Sequence, residues 1–196
     1  MSFIPQYIHL GCGDHKLGYP WQNYDREVDL RERLPWGNET IRFIFAEHVI
    51  EHLTFLEGFR FLQEARRVLE PGGCLRFSFP DVTRFTPRHV QDFSFYLQKQ
   101  GVEVDTLPQL YRALMTEWGH SSCWVRDMAG PVCIAAGFTR IWTPKYGHSL
   151  RKELVDVDGH HLTTGVLKMA KLETTIIEAA KGAINAAAAV AAKGDE

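Results

Sequence analysis

The stretch from Ile41 to Phe79 limits the possible folds more than any other part of the chain. IRFIFA (41–46) and CLRFSF (74–79) are near-continuous apolar and aromatic runs, the pattern of strands buried on both faces. Between them Thr54 and Glu57 spell a capping box. Phe55, Phe59, Leu62, Ala65 and Leu69 then recur at helical spacing until Pro71-Gly72-Gly73 stops the helix. A strand, a helix and a second strand of this kind form a right-handed crossover. The expected class is α/β, with helices covering the sheet.

The rest of the chain extends that pattern. YIHL (7–10) reads as a first strand ended by Gly11. After Pro80-Asp81, helical patterns cover roughly 84–100, 107–117 and 126–136, with Pro87 and Pro108 near helix starts. FTRIWTPKY (138–146) and ETTIIEAAK (173–181) read as two late strands, and the polar segment 147–172 between them as a long surface excursion. A length of 196 residues suits one core. One domain is expected over 1–181, followed by an Ala-rich tail, helical or disordered, at 182–196.

Charge and cysteine usage narrow the partners. The net charge is −2 and the chain has neither a basic stripe nor a polybasic run, so neither nucleic acid nor an anionic membrane is expected as a partner. Cys12, Cys74, Cys123 and Cys133 include no C-x-x-C pair and read as free thiols of a reducing compartment. MSFIPQYIHL shows no signal-peptide pattern, and GAINAAAAVAAKGDE is too short to span a bilayer. A cytoplasmic protein is expected. Its tail is a candidate segment for homo-oligomer contacts.

Several short motifs suggest competing chemistries. Residues 48–52 spell H-x-x-E-H, a zinc-hydrolase signature that needs His48 and His52 one turn apart on a sustained helix. The helix signals begin only at Thr54, which leaves His48 at a strand end and His52 in a turn. Zinc hydrolysis therefore ranks third, no metal is expected, and Glu51 and His52 are read as turn and helix-entry residues. Gly11-Cys12-Gly13 is followed by Asp14, His15 and Lys16 without the third glycine of a dinucleotide fingerprint, which disfavours NAD. No Gly-x-Ser-x-Gly elbow occurs, so acyl transfer lacks support. His120, near Trp118 and Trp124, fits either an acceptor pocket or a half-buried aromatic cluster. His148 and His160-His161 read as solvent-exposed.

HLGCGD (9–14), NYD (23–25), DLRERLPW (29–36), FAEHVIEHL (45–53), EARRVLEPGG (64–73) and FSFPD (77–81), in this order, resemble the class I S-adenosylmethionine-dependent methyltransferases. The likeness is greatest to a small subgroup of the type 11 kind, and with AAGFTRIW and TTIIEAAK it spans nearly 6–181. The resemblance implies a Rossmann-like, mainly parallel, seven-stranded sheet with an antiparallel last strand. It also implies a cofactor, S-adenosyl-L-methionine, at the carboxyl ends of the strands. By the same resemblance Gly11, Cys12 and Gly13 pass close to the cofactor's methionine part, Asp25 binds the ribose hydroxyls, and Asp29 lies beside the adenine. Glu47 and His48 face the sulfonium and the acceptor.

Two departures set this chain apart. Only residues 11–20 separate the first strand from WQNYD, too few for a helical crossover. Asp25 and Val28 are likewise too close for a helix between separate strands, so truncated N-terminal helices and one bent second strand are expected. The functional expectation is a methyltransferase (EC 2.1.1) acting on a small-molecule or sugar-like acceptor. Positioning supplies most of its catalysis, and His48, with an ordinary pKa of about 6.5, is the candidate base. The rival is a binding or scaffold protein that retains the shell without activity.

Overall fold

A computed structural model describes residues 6–182. The tail expected at 182–196 lies, beyond Gly182, outside the described residues. Six strands form one sheet: β1 (Tyr7–Leu10), β2 (Gln22–Tyr24), β3 (Ile41–Glu47), β4 (Leu69–Pro80), β5 (Arg140–Trp142) and β6 (Thr174–Ala180). Their order is β2-β1-β3-β4-β6-β5. The pairs β2-β1, β1-β3 and β3-β4 are parallel, while β6 runs antiparallel to both β4 and β5. The mainly parallel sheet with an antiparallel last strand is the expected one. It has six strands among the described residues instead of seven.

Helix α1 (Phe55–Val68) links β3 to β4. It starts on the expected capping box: the Glu57 amide donates to Thr54 Oγ1 (3.4 Å) and the Thr54 amide to Glu57 Oε2 (2.8 Å). The buried face is set by Gly58, Phe61, Leu62, Ala65 and Val68, which shares Leu62 and Ala65 with the expected stripe and is otherwise rotated toward neighbouring positions. Phe55 is exposed, and Leu69 has already turned into extended backbone. Burying Phe61, Leu62 and Val68 contributes about 1.5–3 kcal/mol each. Pro71-Gly72-Gly73, expected as the helix stop, lies inside β4 instead. There Gly72 takes φ 83° and the irregular register lets Lys181 and Gly73 pair across the sheet.

As expected, the N-terminal helices are truncated: no helix lies between β1 and β3. Residues 11–21 form turns held by Asn23, whose side chain accepts from Leu17 N (2.9 Å) and donates to Leu17 O (2.9 Å). Residues 25–40 are also irregular, so the bent second strand stops at Tyr24. In place of a helix, Arg67 of α1 donates to the carbonyls of Leu34 and Trp36 (3.0 Å each), and Glu64 accepts from the Leu34 amide (3.0 Å). One ion pair on α1 thus pins the segment that a crossover helix would have occupied.

Beyond β4 the chain builds a cap. Helices α2 (Val90–Gln98), α3 (Leu107–Thr116) and α6 (Leu167–Glu173) enclose a small core with Phe85, Phe93, Leu97, Leu110 and Met169. The helix expected from 84 begins at Val90, after a 3-10 turn at Pro87–His89. Helix α4 (Arg126–Ala135) returns to the sheet beside α1, where Ala129 and Cys133 are fully buried. No helix among the described residues is long and apolar enough to cross a membrane.

The segment 147–172, expected as a surface excursion, instead seals the second face of the sheet. Arg76 projects from β4 with no exposed surface. It is ion-paired to Asp158 and Glu178 and donates to the His148 carbonyl (3.0 Å). Leu154 packs on Phe43 and Cys74. A buried arginine needs such partners, because desolvation of an unpaired charge is prohibitive. The same segment carries the short helix α5 (His160–Thr164) to the strand ends.

Candidate active site

A cleft of about 430 Å³ opens where the carboxyl ends of β1, β3 and β4 meet the cap. Open α/β sheets bind ligands at this edge. Gly11, Cys12, Gly13, Glu47, His48 and Glu51 line the sheet side; Tyr96, Gln100, Leu114, Trp118 and His120 line the cap side. The sheet places Gly11 and His48 together because Leu10 pairs with Ala46 in parallel register, so both strands leave the sheet at one level.

The glycine corner has the backbone that its residues suit. Gly11 and Gly13 take φ 65° and 47°, in the left-handed region that glycine adopts without strain. A Cβ on Gly11 would come within 2.4 Å of Val49 Cγ2, whereas one on Gly13 would meet nothing within 4 Å. Gly13 therefore presents bare backbone to open space. Its amide donates to Asp25 Oδ1 at 3.4 Å, and the Cys12 amide donates to the Tyr24 carbonyl at 3.1 Å. Gly11, Cys12, Gly13 and Asp25 converge at one edge.

Two other candidate residues are engaged elsewhere. Asp29 lies outside the cleft on an exposed turn and binds Arg31 with both carboxylate oxygens, at 2.8 Å each. The Arg31 hydrogen bond holds its carboxyl down at about 2. Glu47 does line the cleft, but its carboxylate accepts from the Gly159 amide (3.0 and 2.9 Å) and stands 3.4 Å from His15 Nδ1. Burial raises its pKa; the His15 contact and the Gly159 amide outweigh this and hold it below the ordinary range. Glu47 thus anchors the 147–172 segment to the strand end.

His48 sits just past β3 at φ 51°. Its Nε2 lies 2.9 Å from Thr174 Oγ1, its Nδ1 lies 3.3 Å from Glu51 Oε1, and its ring stacks on His160. Burial, and then the charge of His160, press its pKa down to about 3. His160, expected in solvent, is half-buried and bonded to Glu173 (2.7 Å). Burial lowers its pKa, but the Glu173 bond and charge raise it further, for a net rise.

The aromatic cluster expected around His120 divides in two. Trp124 is fully buried between Phe77, Phe79 and Phe55 and belongs to the core. Trp118 lines the cleft beside His120 and donates to Gln100 Oε1 at 3.1 Å. His52 does not pair with His48; it faces His120, with ring centroids 4.9 Å apart.

Residues that the motifs did not single out hold this edge in place. His9, buried in β1, contacts Asn23 Oδ1 at 3.1 Å, and burial presses its pKa down to about 4. Asp81 is fully buried, accepting from the Thr83 amide (3.0 Å), the Arg126 amide (3.0 Å) and Thr175 Oγ1 (2.9 Å). It ties both ends of the cap to the sheet. FSFPD contains Asp81, but only its burial reveals this role.

A methyltransferase-domain family model matches residues 19–77, the segment from the turn before β2 to the middle of β4. The mixed sheet, mainly parallel with β6 antiparallel to its neighbours, matches the Rossmann-like fold of solved methyltransferases. The fold is that of the Rossmann-like methyltransferases. An S-adenosylmethionine-dependent methyltransferase from Archaeoglobus fulgidus is similar with TM-score 0.51 at 11% identity, covering 88% of this chain and 84% of that one. One from Mesorhizobium loti gives TM-score 0.50 at 10% identity and 89% coverage of each chain. A Bordetella parapertussis protein gives TM-score 0.51 at 13% identity; 91% of this chain is covered but only 63% of that one. The chain thus spans under two thirds of that protein's length. No curated protein matches it in sequence.

Proposed function

We propose that the protein is an S-adenosyl-L-methionine-dependent methyltransferase acting on a small-molecule or sugar-like acceptor. The observation that carries this reading is the Gly11–Gly13 corner lining the cleft, with the exposed Asp25, itself outside the cleft lining, in contact with it through the Gly13 amide. The residues suit the cofactor: bare backbone at Gly13 admits a close ligand, and Asp25 offers a carboxylate to hydroxyl donors. When bound, the cofactor supplies an electrophilic methyl group on a sulfonium.

The protein's own contribution is positioning. Gly11, Cys12 and Gly13 shape the cofactor end of the cleft, and Asp25, held beside Gly13, orients the ribose. Glu47 fixes the 147–172 segment as a wall of the site, and His48 holds β6 through Thr174. With its Nε2 engaged by Thr174 and its pKa near 3, His48 is better suited to this bracing than to removing a proton. Tyr96, Leu114 and Trp118 make the cap side a half-apolar wall, which fits a small acceptor with both ring and hydroxyl surface. Holding acceptor and cofactor in line accounts for roughly 7–11 kcal/mol of barrier reduction in comparable intramolecular systems.

Isothermal titration with S-adenosylmethionine and S-adenosylhomocysteine tests the reading. Binding of either ligand, weakened about 10-fold or more by Asp25→Ala, supports it, since loss of a charged hydrogen bond is worth about 1.5–3 kcal/mol. Absence of binding to either at millimolar ligand favours the inactive scaffold.

A further inference from the structure

The carboxylate of Glu51 is an anomaly. Glu51 is 1% exposed, yet neither side-chain oxygen takes part in a hydrogen bond among the described residues. The nearest cation-forming nitrogen, His48 Nδ1, is 3.3 Å away without hydrogen-bond alignment. A buried carboxylate needs a compensating positive charge or donors. Two imidazoles stand beside it instead, and ligand atoms of Glu51, His52 and His120 all lie within 4.8 Å of one another.

We infer that Glu51, His52 and His120 form a binding site for one divalent first-row transition-metal ion on the wall of the cleft. Two imidazoles and a carboxylate suit zinc, iron or cobalt; calcium and magnesium prefer all-oxygen sites. His120 is prepared for the role. Its Nδ1 lies 2.6 Å from the Leu114 carbonyl, which can only accept, so Nδ1 carries the proton and Nε2 keeps a free lone pair. A carbonyl behind a ligating imidazole is the usual arrangement at metal centres.

The backbone holds the three residues in register. The Glu51 carbonyl accepts from the amides of Ser121 and Ser122 (2.8 and 3.0 Å), clamping the His120 segment to the 50–52 turn. Trp118 and Gly119, at φ 58° and 81°, make the reversal that presents His120. Ligands on a tetrahedral zinc with bonds of about 2.0 Å stand about 3.3 Å apart. The ion would therefore draw these side chains inward, and the exposed His52 is free to move.

All three line the cleft, so the remaining coordination positions face it, as at catalytic metal centres with three protein ligands. This differs from the H-x-x-E-H reading, since His48 belongs to the His160 stack and not to the cluster. An acceptor hydroxyl could fill an open position, a role that rests on the methyltransferase reading; metal binding itself does not.

Tag-free full-length protein is titrated with zinc alone and with cobalt alone, and metal content is measured after desalting. One equivalent per chain is expected, with His52→Ala and His120→Ala each weakening binding by at least about 10-fold, the lower bound even for residues behind the ligands. His148→Ala, at an exposed histidine outside the cleft, leaves binding unchanged. Substoichiometric metal, or unaltered affinity in the His52 variant, overturns the site. The exposed position of His52 means that this variant folds even if His120→Ala does not. No adenosyl ligand is present, so failure here leaves the methyltransferase reading intact.

Discussion

His48 and His160 stack face to face, with ring centroids 3.6 Å apart and planes inclined by 8°. One ring ends a strand of the sheet and the other starts α5, so the contact locks the 147–172 segment over the cleft. Two imidazoles this close cannot both carry charge cheaply. The proton resides on His160, which Glu173 stabilises, and His48 remains neutral.

That division makes stability depend on pH. A histidine whose folded pKa is raised stabilises fully below its unfolded value of about 6.5 and loses that contribution as pH rises through the folded pKa. Glu173→Gln removes the group that raises His160. The wild type is therefore expected to exceed the variant in stability most between about pH 5 and 6.5, with the gap closing at higher pH. Denaturant unfolding across pH, with histidine titration by NMR, checks this. A gap independent of pH would contradict it.

His48 has the opposite sign. Its folded pKa is pressed down to about 3, so its neutral burial stabilises above about 6.5 and is lost as pH falls toward 3. His48→Gln is expected to cost stability at neutral pH and to reduce the acid sensitivity of unfolding between about pH 6.5 and 3. An unchanged acid limb in the variant would show that His48 is not the buried neutral histidine.

The buried pairing of Arg76 with Asp158 gives the largest predicted loss. Asp158→Ala leaves Arg76 buried and short of a partner, which costs about 3–5 kcal/mol. Arg76→Met combined with Asp158→Leu and Glu178→Leu is expected to recover much of that, because apolar replacement of a whole buried charge cluster is often neutral. Urea unfolding of both variants distinguishes pairing from mere packing. A triple variant as unstable as Asp158→Ala would contradict the assignment.

The two glycines of the corner should respond differently. Gly11→Ala meets both a left-handed φ and Val49, so a loss of about 1–3 kcal/mol in stability is expected. Gly13→Ala has strain but no clash, so the fold should tolerate it at about 1 kcal/mol. Its methyl group points into open space, and weaker cofactor binding is the expected main effect. Melting curves and titrations on the pair separate the two.

What the sequence made legible was local. The capping box at Thr54 and Glu57 and the strands on either side follow from spacing and periodicity, whereas the reversal of the late strand was implied only by the resemblance to class I methyltransferases. The pocket edge at Gly11, Gly13 and His48 was legible because strand ends and glycines mark the chain. The roles of Glu47, Asp81 and Asp158 were not, because each binds partners far away in sequence and looks like an ordinary surface carboxylate until burial is known. The polar segment 147–172 misled for the same reason: Asp158, the Gly159 amide and His160 face inward to satisfy Arg76, Glu47 and Glu173.

The most direct test compares S-adenosylhomocysteine binding by calorimetry in the wild type, Asp25→Ala and Asp29→Ala. Binding that falls about 10-fold or more in the Asp25 variant, with the Asp29 variant unchanged, is the expected result. Equal affinity in all three, or loss through Asp29 alone, would contradict a cofactor seat built from Gly13 and Asp25.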